Sequence, residues 1–572
     1  MLPHKQIELK LQQAARSVLP DADVSIVLVR PCPDPKFGDY QSNALMSLAK
    51  TRKINPRQLA TDVLAKLDVS EICEKVEIAG AGFLNFRLKN SVLTQTLESA
   101  ARGEHLFFEK SDAPKTVVVD FSSPNVAKPM HVGHIRSTIL GDSLARTLRL
   151  LGHHVVTDNH IGDWGTQFGK LIAGWKQLLD QEALKRDPIG ELERLYRFVN
   201  SASEADPAIL EEAKSELVKL QNGDKENLKI WREMIALSQK QFDEIYSRLG
   251  VKFDFTLGES FYNPKLKPLV EELLAKNIAR ESEGAIAIFF EDNPQLKEHP
   301  ALIRKSDGGF NYTTTDLATL AYRLETWKPD EIIYVTDGRQ QLHFQQIFAA
   351  FQKWHSESKT KLAHVWFGSI LGEDGKPFKT RSGETVKLSD LLDEAEMRAL
   401  AIVDAKSPEL PETQRREIAR VVGIGAVKYA DLLPNRQSDY VFSWDKMLAL
   451  QGNTAPYLQY AFARIKSIFR KSESINHQPS TINLLAPEEI ALAKHLLNFG
   501  LTFEAVAEEY RPNFLCNYLF ELAGKFTSFY ENCPVLKADD VTRDSRLALC
   551  DLTARVLSRG LETLGIETVE QM

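Results

Sequence analysis

Residues Thr116 to Asn159 read TVVVDFSSPNVAKPMHVGHIRSTILGDSLARTLRLLGHHVVTDN, and this stretch decides the fold. It opens on a β-branched run between Pro114 and Pro124, which predicts a buried strand. Leu140, Leu144, Leu148 and Leu151 then recur at helical spacing on one face. Gly152 ends that helix, and HHVVTDN predicts a second strand. Strand, loop, helix and strand in this order make a β-loop-α-β unit, the start of a doubly wound, Rossmann-like nucleotide-binding sheet.

The loop inside this unit carries Ser123-Pro124-Asn125-Val126-Ala127-Lys128-Pro129-Met130-His131-Val132-Gly133-His134. His131 and His134 fall in the first helical turn, and Gly133 lets a ligand approach the backbone closely. A helix N-terminus offers unpaired N–H groups and the positive end of the dipole, which suit phosphate. Imidazoles placed there can donate hydrogen bonds to charge developing on an α-phosphate as pyrophosphate leaves. A surface turn with two chance histidines is the competing reading. The position of HVGH between a core strand and an amphipathic helix favours the phosphate site.

Working outward, residues 1–109 read as a small α+β domain: a helix, a strand-like SIVLVRP, the turn Phe37-Gly38-Asp39-Tyr40, a second helix, then the strands VEIAG and GFLNFRL. EHLFFEKSDAPK reads as a linker. Residues 110–387 hold the α/β pattern, interrupted from about 176 to 290 by charged amphipathic helix. The pattern resumes with strands EIIYVTD and AHVWFGSIL around the helix QQLHFQQIFAAFQKW. Residues 388–572 are almost entirely helical. The expected fold class is multidomain: a Rossmann-like α/β catalytic domain with a helical insertion, an N-terminal α+β domain and a C-terminal all-α domain.

Composition narrows the function classes. The 572 residues are 43% hydrophobic and 26% charged, which is ordinary globular usage. No apolar run approaches the roughly 18–20 residues that span a bilayer. The amphipathic N-terminal stretch lacks the apolar core and cleavage site of a secretory signal. The five cysteines form no CxxC pair, so neither a zinc knuckle nor a redox motif is visible, and they suit a reducing cytoplasm. A net charge of −7 argues against a DNA-coating role but leaves a local RNA contact open.

The stretch from Asp120 to Gly141 resembles the signature of the arginyl-tRNA synthetase family, bacterial type, with HVGH standing for the HIGH motif of class I aminoacyl-tRNA synthetases. GDYQSNA and GAGFLNFRL resemble the family's N-terminal domain, and DNHIGDWGTQFGKL the loop after its second strand. GNTAPYLQYAFARI and the closing LGIETVEQM resemble its helical C-terminal domain. The resemblance therefore covers essentially the whole chain. It implies a ligase of protein biosynthesis that activates L-arginine with ATP and transfers the arginyl group to the 3′-terminal adenosine of tRNA(Arg). It implies a cytoplasmic monomer that needs tRNA before it activates arginine. Magnesium is expected to ride on ATP, with no structural metal held by the protein and no contact with a membrane.

Arginine asks for a carboxylate that can pair its planar guanidinium. Asp120, at the end of the first strand, and Asp316 are candidates. Tyr312 and Asp316 stand four apart in NYTTTDLATLAYRL and share a face if a helix begins there. Asp316 also reads as an ordinary N-terminal helix acid, Tyr312 as a core aromatic, and Asp120 as a residue that holds its loop by hydrogen bonds. The resemblance implies that Ser123, Pro124, Asn125, His134, Tyr312, Asp316 and Gln340 bind arginine. Asn125 and Gln340 suit the polar groups of the amino acid itself. For ATP, it implies His131, Gly133 and His134, with Lys128 supplying charge.

The hairpin Gly375-Lys376-Pro377-Phe378-Lys379-Thr380-Arg381-Ser382-Gly383 stands where most class I enzymes carry KMSKS. Lys379 and Arg381 are its candidate phosphate ligands, or else the cations of a solvated tip. Gly162, Asp163, Trp164 and Gly165 are expected to shape the nucleotide pocket. Tyr457, Tyr460, Phe462, Arg464 and Lys466 form an aromatic and basic stretch suited to stacked anticodon bases, or a core-facing stripe with a solvated cation. Tyr40 and its turn either meet RNA or simply reverse the chain. Two other classes stay in view: an HxGH nucleotidylyltransferase acting on a small molecule, and a non-catalytic tRNA-binding paralogue.

Overall fold

Val117, Val118 and Val119 are buried in a four-stranded parallel sheet. Their strand, Thr116–Asp120, lies between Glu331–Tyr334 and His154–Asp158, and Lys361–His364 forms an edge. A strand covered on both faces needs no polar alternation, which is why its sequence is a continuous β-branched run. The computed structural model describes residues 1–379, 385–472 and 481–572.

The chain adds its next strand on one side of Thr116–Asp120 and the strands that follow the insertion on the other. That reversal is the switch point at which open α/β sheets bind ligands, outside the carboxyl ends of the strands. Asp120, Asp158 and Tyr334 stand in register at those ends. The helix Val132–Leu150 crosses back against the sheet, burying Leu140, Leu144 and Leu148. It approaches so closely that a Cβ at Gly141 would lie 2.2 Å from the Phe121 ring.

In the insertion the helices Gln181–Arg186, Pro188–Ala205, Pro207–Gln221 and Lys225–Leu249 are capped by Asp180, Asp187, Asp206 and Asp224, whose carboxylates accept first-turn N–H groups. The helix Glu259–Ala275 follows. A three-stranded antiparallel sheet comes next, formed by Ala279–Ser282, Ala285–Ile288 and Ala301–Arg304. The sequence does not announce this sheet, because each strand is only four residues long.

The described residues separate into two compact units, Met1–Ser111 with Leu450–Glu562 and Glu567–Met572, and Asp112–Ala449 with Thr563–Ile566. The helices Leu388–Lys406 and Glu412–Leu432 thus share a unit with the parallel sheet. A buried ion pair explains part of this: Arg136, on the helix after HVGH, reaches Asp431 at 3.1 Å.

In the other unit the helix Pro3–Val18 accompanies a four-stranded antiparallel sheet. SIVLVRP differs from its strand-like reading: it forms a single 3-10 turn, Val24–Ile26, and only Arg30–Pro31 pairs. The turn around Asp39 instead leads directly into a strand, Tyr40–Ser42. Helices Ala455–Lys471, Pro487–Leu496, Phe499–Glu509 and Asn513–Asn532 complete this unit together with most of Asp540–Thr563. Ion pairs Lys5–Glu504 (3.0 Å), Arg30–Glu508 (2.9 Å) and Lys494–Asp39 (2.8 Å) join its segments Met1–Ser111 and Leu450–Glu562. Among the described residues, no helix is long and apolar enough to cross a membrane.

Candidate active site

The loop after Thr116–Asp120 holds three non-glycine residues at positive φ: Ser122 (73°), Ser123 (48°) and Ala127 (63°). Such conformations persist only where surrounding structure enforces them. Here a buried polar network does so. The Ser122 N–H donates to Ser137 Oγ at 2.8 Å, and Ser122 Oγ lies 2.8 Å from the Tyr246 hydroxyl. Asn159 donates to that hydroxyl at 3.0 Å and accepts the Ser123 N–H at 3.0 Å. The Ala127 N–H donates to Ser238 Oγ at 2.9 Å.

Pro124, Val126 and Gly162 pair through two backbone hydrogen bonds of 3.0 Å. A Cβ at Gly162 would lie 2.2 Å from Asn125 Oδ1, so a larger residue there would turn the Asn125 side chain away. Pro124 is buried beneath the loop, Ser123 is half-buried and Asn125 is exposed.

His131 is the N-cap of Val132–Leu150 rather than a residue of its first turn, and His134 sits in that turn. His131 Nδ1 accepts the Gly133 N–H at 3.1 Å, and His134 Nδ1 accepts the His131 N–H at 3.1 Å. With both Nδ1 atoms accepting, each neutral ring carries its proton on Nε2. Burial, then the neighbouring His131, holds His134 down at about 3. Burial lowers His131 as well, helped by Lys128 and Arg339. The pair therefore offers two uncharged Nε2–H donors at a helix N-terminus. A Cβ on Gly133 would press to 2.8 Å against the His131 ring.

The segment from Thr385 to Leu388 runs into this turn. Val132 donates to Val386 O and Leu388 to Met130 O, both at 2.9 Å. Lys379 is exposed and forms an antiparallel bridge with Thr385, and Phe378 stacks on Phe442 with centroids 4.5 Å apart. Arg381 lies outside the described residues. Lys128 is exposed, with Nζ 5.4 Å from the centre of the Tyr196 ring.

Tyr312 opens the helix Tyr312–Trp327 and is 61% exposed, so it is not a core aromatic. Its ring centroid lies 4.8 Å from His343, whose Nε2 is 2.5 Å from Asp316 Oδ2. Gln340 is exposed in the turn just before the helix Gln341–Trp354 that carries His343. Tyr312, Asp316 and Gln340 are thus gathered around one imidazole or its flanking turn.

Sequence reasoning missed Glu259. Burial raises its carboxyl to about 7, opposed by His160 and reinforced by Asp316 and Asp163. Glu259 therefore lies within electrostatic reach of Asp316. A glutamate in the first turn of a helix is common enough to give no warning from sequence.

Asp120 takes the second of the roles open to it. Arg323 Nη2 reaches Asp120 Oδ2 at 2.6 Å and Asp158 Oδ2 at 2.8 Å, and Ser123 Oγ donates to Asp120 Oδ1 at 3.2 Å. Asp120 thus spends one oxygen on a buried guanidinium and the other on its own loop, whereas Asp316 lies at the Tyr312–His343 cluster. Asp163 is likewise turned inward: it is buried and accepts Ser260 N–H at 2.8 Å and Ser260 Oγ–H at 2.6 Å. It shapes the loop through Ser260. Trp164 packs edge-on against Trp231.

In the other unit Tyr40 is buried beside His4, so it cannot face RNA; the exposed aromatic of its turn is Phe37, at 58%. Core positions on Ala455–Lys471 go to Leu458, Phe462 and Ile465, while Tyr460 is 46% exposed. Tyr457 is half-buried beside Phe520, and the Arg464 guanidinium lies 4.6 Å from the Tyr530 ring centre. Among the described residues no group of three or more His, Cys, Asp or Glu could hold a metal ion.

Comparison with known proteins agrees with this architecture throughout. Residues 96–444 match the family described as tRNA synthetases class I (R), catalytic domain. Residues 5–88 match the arginyl tRNA synthetase N terminal domain, and 458–572 the DALR anticodon binding domain. The chain is 46% identical over 566 residues to an arginine–tRNA ligase of Marinomonas sp., covering 98% of each chain. It is 48% identical over 554 residues to that of Proteus mirabilis, covering 95% of this chain and 96% of that one. Among solved structures, the Plasmodium falciparum arginyl-tRNA synthetase superposes with a TM-score of 0.82 at 31% identity, covering 100% of this chain and 99% of that one. The Thermus thermophilus arginyl-tRNA synthetase gives 0.84 at 27% identity, covering all of both chains. The chain belongs to the class I arginyl-tRNA synthetase family.

Proposed function

We propose that the chain activates L-arginine with ATP to arginyl-adenylate and transfers the arginyl group to the 3′-terminal adenosine of tRNA(Arg). The observation that carries this is the Tyr312–His343–Asp316 cluster, with Glu259 near enough that Asp316 raises its carboxyl. In the same unit Asp120 and Asp158 share one internal guanidinium, that of Arg323. A substrate guanidinium between Glu259 and Asp316 repeats that arrangement. A neutral side chain such as citrulline leaves the carboxylates unmatched, which is costly in a partly buried site.

In the first step an arginine carboxylate oxygen bonds to the ATP α-phosphorus, and the bond from that phosphorus to the bridging oxygen breaks to release pyrophosphate. The chain's contribution is alignment and charge stabilisation. Asn125, Ser123 and Gln340 orient the amino acid. The Nε2–H groups of His131 and His134 donate to the phosphate oxygens, beside the N–H groups of the helix start. Lys128 and the Lys379 hairpin hold the triphosphate, and magnesium rides on it. In the second step the terminal ribose hydroxyl attacks the activated carbonyl, and AMP leaves.

Recognition of tRNA is assigned to the regions outside 110–387. Tyr457, Tyr460 and Arg464 in 388–572 face the anticodon, and the exposed Phe37 in 1–109 faces the elbow. We take the protein to act as a cytoplasmic monomer. The test is ATP–pyrophosphate exchange with each amino acid, with and without total tRNA. Exchange with arginine alone, and only when tRNA is added, is the expected result. Exchange with a different amino acid overturns the pocket assignment, and tRNA binding without any exchange supports the non-catalytic paralogue.

A further inference from the structure

We propose that His343 is a positioning residue of the arginine pocket: its Nε2–H fixes the Asp316 carboxylate and its ring seats Tyr312, leaving the other Asp316 oxygen for the substrate guanidinium. The inference rests on reading that pocket as the arginine site.

The proton assignment follows from chemistry. A carboxylate only accepts, so the 2.5 Å contact to Asp316 Oδ2 places the hydrogen on Nε2. The other ring nitrogen, Nδ1, is buried without a hydrogen-bond partner among the described residues, so the Asp316 contact is what orients the ring polar edge. The Tyr312 ring meets the imidazole edge-on at 4.8 Å. His343 belongs to the helix that begins immediately after Gln340. One side chain thereby ties the Tyr312–Trp327 helix to the turn that carries Gln340. Neither Tyr312 nor Asp316 is buried enough to be held by packing alone.

The choice of imidazole has a reason. Arg323 shows what a guanidinium does in this unit: it binds Asp120 and Asp158 and uses up their charge. An arginine or lysine at position 343 would do the same to Asp316. An imidazole can donate a hydrogen bond without a permanent positive charge, so it orients the carboxylate and leaves its charge for the substrate.

Two variants separate the parts. His343→Phe keeps a ring against Tyr312 and removes the donor. His343→Gln keeps an amide donor near the Nε2 position and removes the ring. In arginine-dependent pyrophosphate exchange with tRNA present, His343→Phe is expected to raise the KM for arginine roughly tenfold or more, the scale of one hydrogen bond to a charged group. The KM for ATP and the melting temperature stay at wild-type values, and His343→Gln recovers most of the lost affinity. An unchanged arginine KM in His343→Phe overturns the proposal, as does a parallel rise in the arginine and ATP KM values in both variants. If His343→Phe does not fold, His343→Asn, whose shorter amide withdraws the donor from Asp316, is read by the same criteria. Wild-type protein that exchanges pyrophosphate without regard to arginine would overturn the reading of the pocket itself, a result distinct from either of these.

Discussion

Arg323 Nη2 lies 2.6 Å from Asp120 Oδ2, with the arginine side chain wholly withdrawn from solvent. Asp158 accepts from the same nitrogen at 2.8 Å. Burying three charges is expensive, and removing one partner strands the others. Arg323→Met leaves two carboxylates facing each other at the strand ends and is expected to cost about 3–5 kcal/mol of stability. Asp120→Asn costs less, because Asp158 still matches the guanidinium, and its main effect falls on the melting temperature rather than on the KM for arginine. Thermal unfolding and exchange kinetics on the two variants check this ordering. An Asp120→Asn protein of wild-type stability with a large loss of arginine affinity would return Asp120 to the substrate.

Glu259 gives a pH signature. Its carboxyl is raised to about 7 in the folded chain, so the free pocket is largely protonated there below that pH. A guanidinium favours the charged form, so arginine binding below about pH 7 must release a proton. The KM for arginine should therefore rise as pH falls below 7, by up to roughly tenfold per pH unit, and level off above it. Stability runs with its own sign: between the ordinary carboxylate value and about 7 the folded state binds the extra proton, so this group's contribution declines as pH rises through that window. Glu259→Gln is expected to abolish the pH slope of the KM and leave the KM high throughout. A slope that survives the substitution assigns it to another group.

His134 is held at about 3, so its role does not depend on pH between 5 and 9. What it supplies is geometry: Nδ1 accepts the His131 N–H, and Nε2 points its proton elsewhere. His134→Ala removes a phosphate donor and is expected to lower the exchange kcat roughly 100- to 1000-fold, with a smaller change in the arginine KM. His134→Gln places an amide donor near the Nε2 position and should recover part of the rate, while His134→Asn should not. Recovery in His134→Asn but not in His134→Gln would mean that the residue serves only the helix cap, through its Nδ1 acceptor.

How far the sequence discloses this site follows from the range of each contact. The parallel sheet is legible because the valine run and the leucine stripe are local patterns, and both are buried as read. HVGH is legible because strand, loop and helix are contiguous. What occupies Asp120 is not, since its partner Arg323 stands 203 residues away. Glu259 escapes for a similar reason: its acid neighbours, Asp163 and Asp316, come from distant segments. SIVLVRP misleads because its apolar run packs Val27 and Val29 inward without extended pairing. Tyr40 looks like a turn residue, yet it begins a strand and turns its ring into the core.

The contrast between Tyr40 and Tyr460 gives the last prediction. Tyr40 is buried and Tyr460 is 46% exposed on Ala455–Lys471, a helix whose core positions go to Leu458, Phe462 and Ile465. If Tyr460 stacks on an anticodon base, Tyr460→Ala removes about 1–3 kcal/mol of RNA binding, a fall of roughly 5- to 150-fold in kcat/KM for tRNA. The arginine KM measured at saturating tRNA and the melting temperature should not move, because the side chain supports no core. Tyr40→Ala should do the opposite: it opens a cavity beside His4, lowers the melting temperature, and changes tRNA affinity only as far as folded protein is lost. Aminoacylation kinetics against tRNA concentration, paired with thermal unfolding, distinguish the two. A Tyr460→Ala protein that charges tRNA with wild-type kcat/KM would remove this face of the helix from the tRNA contact and shift the search to Arg464 and Tyr457.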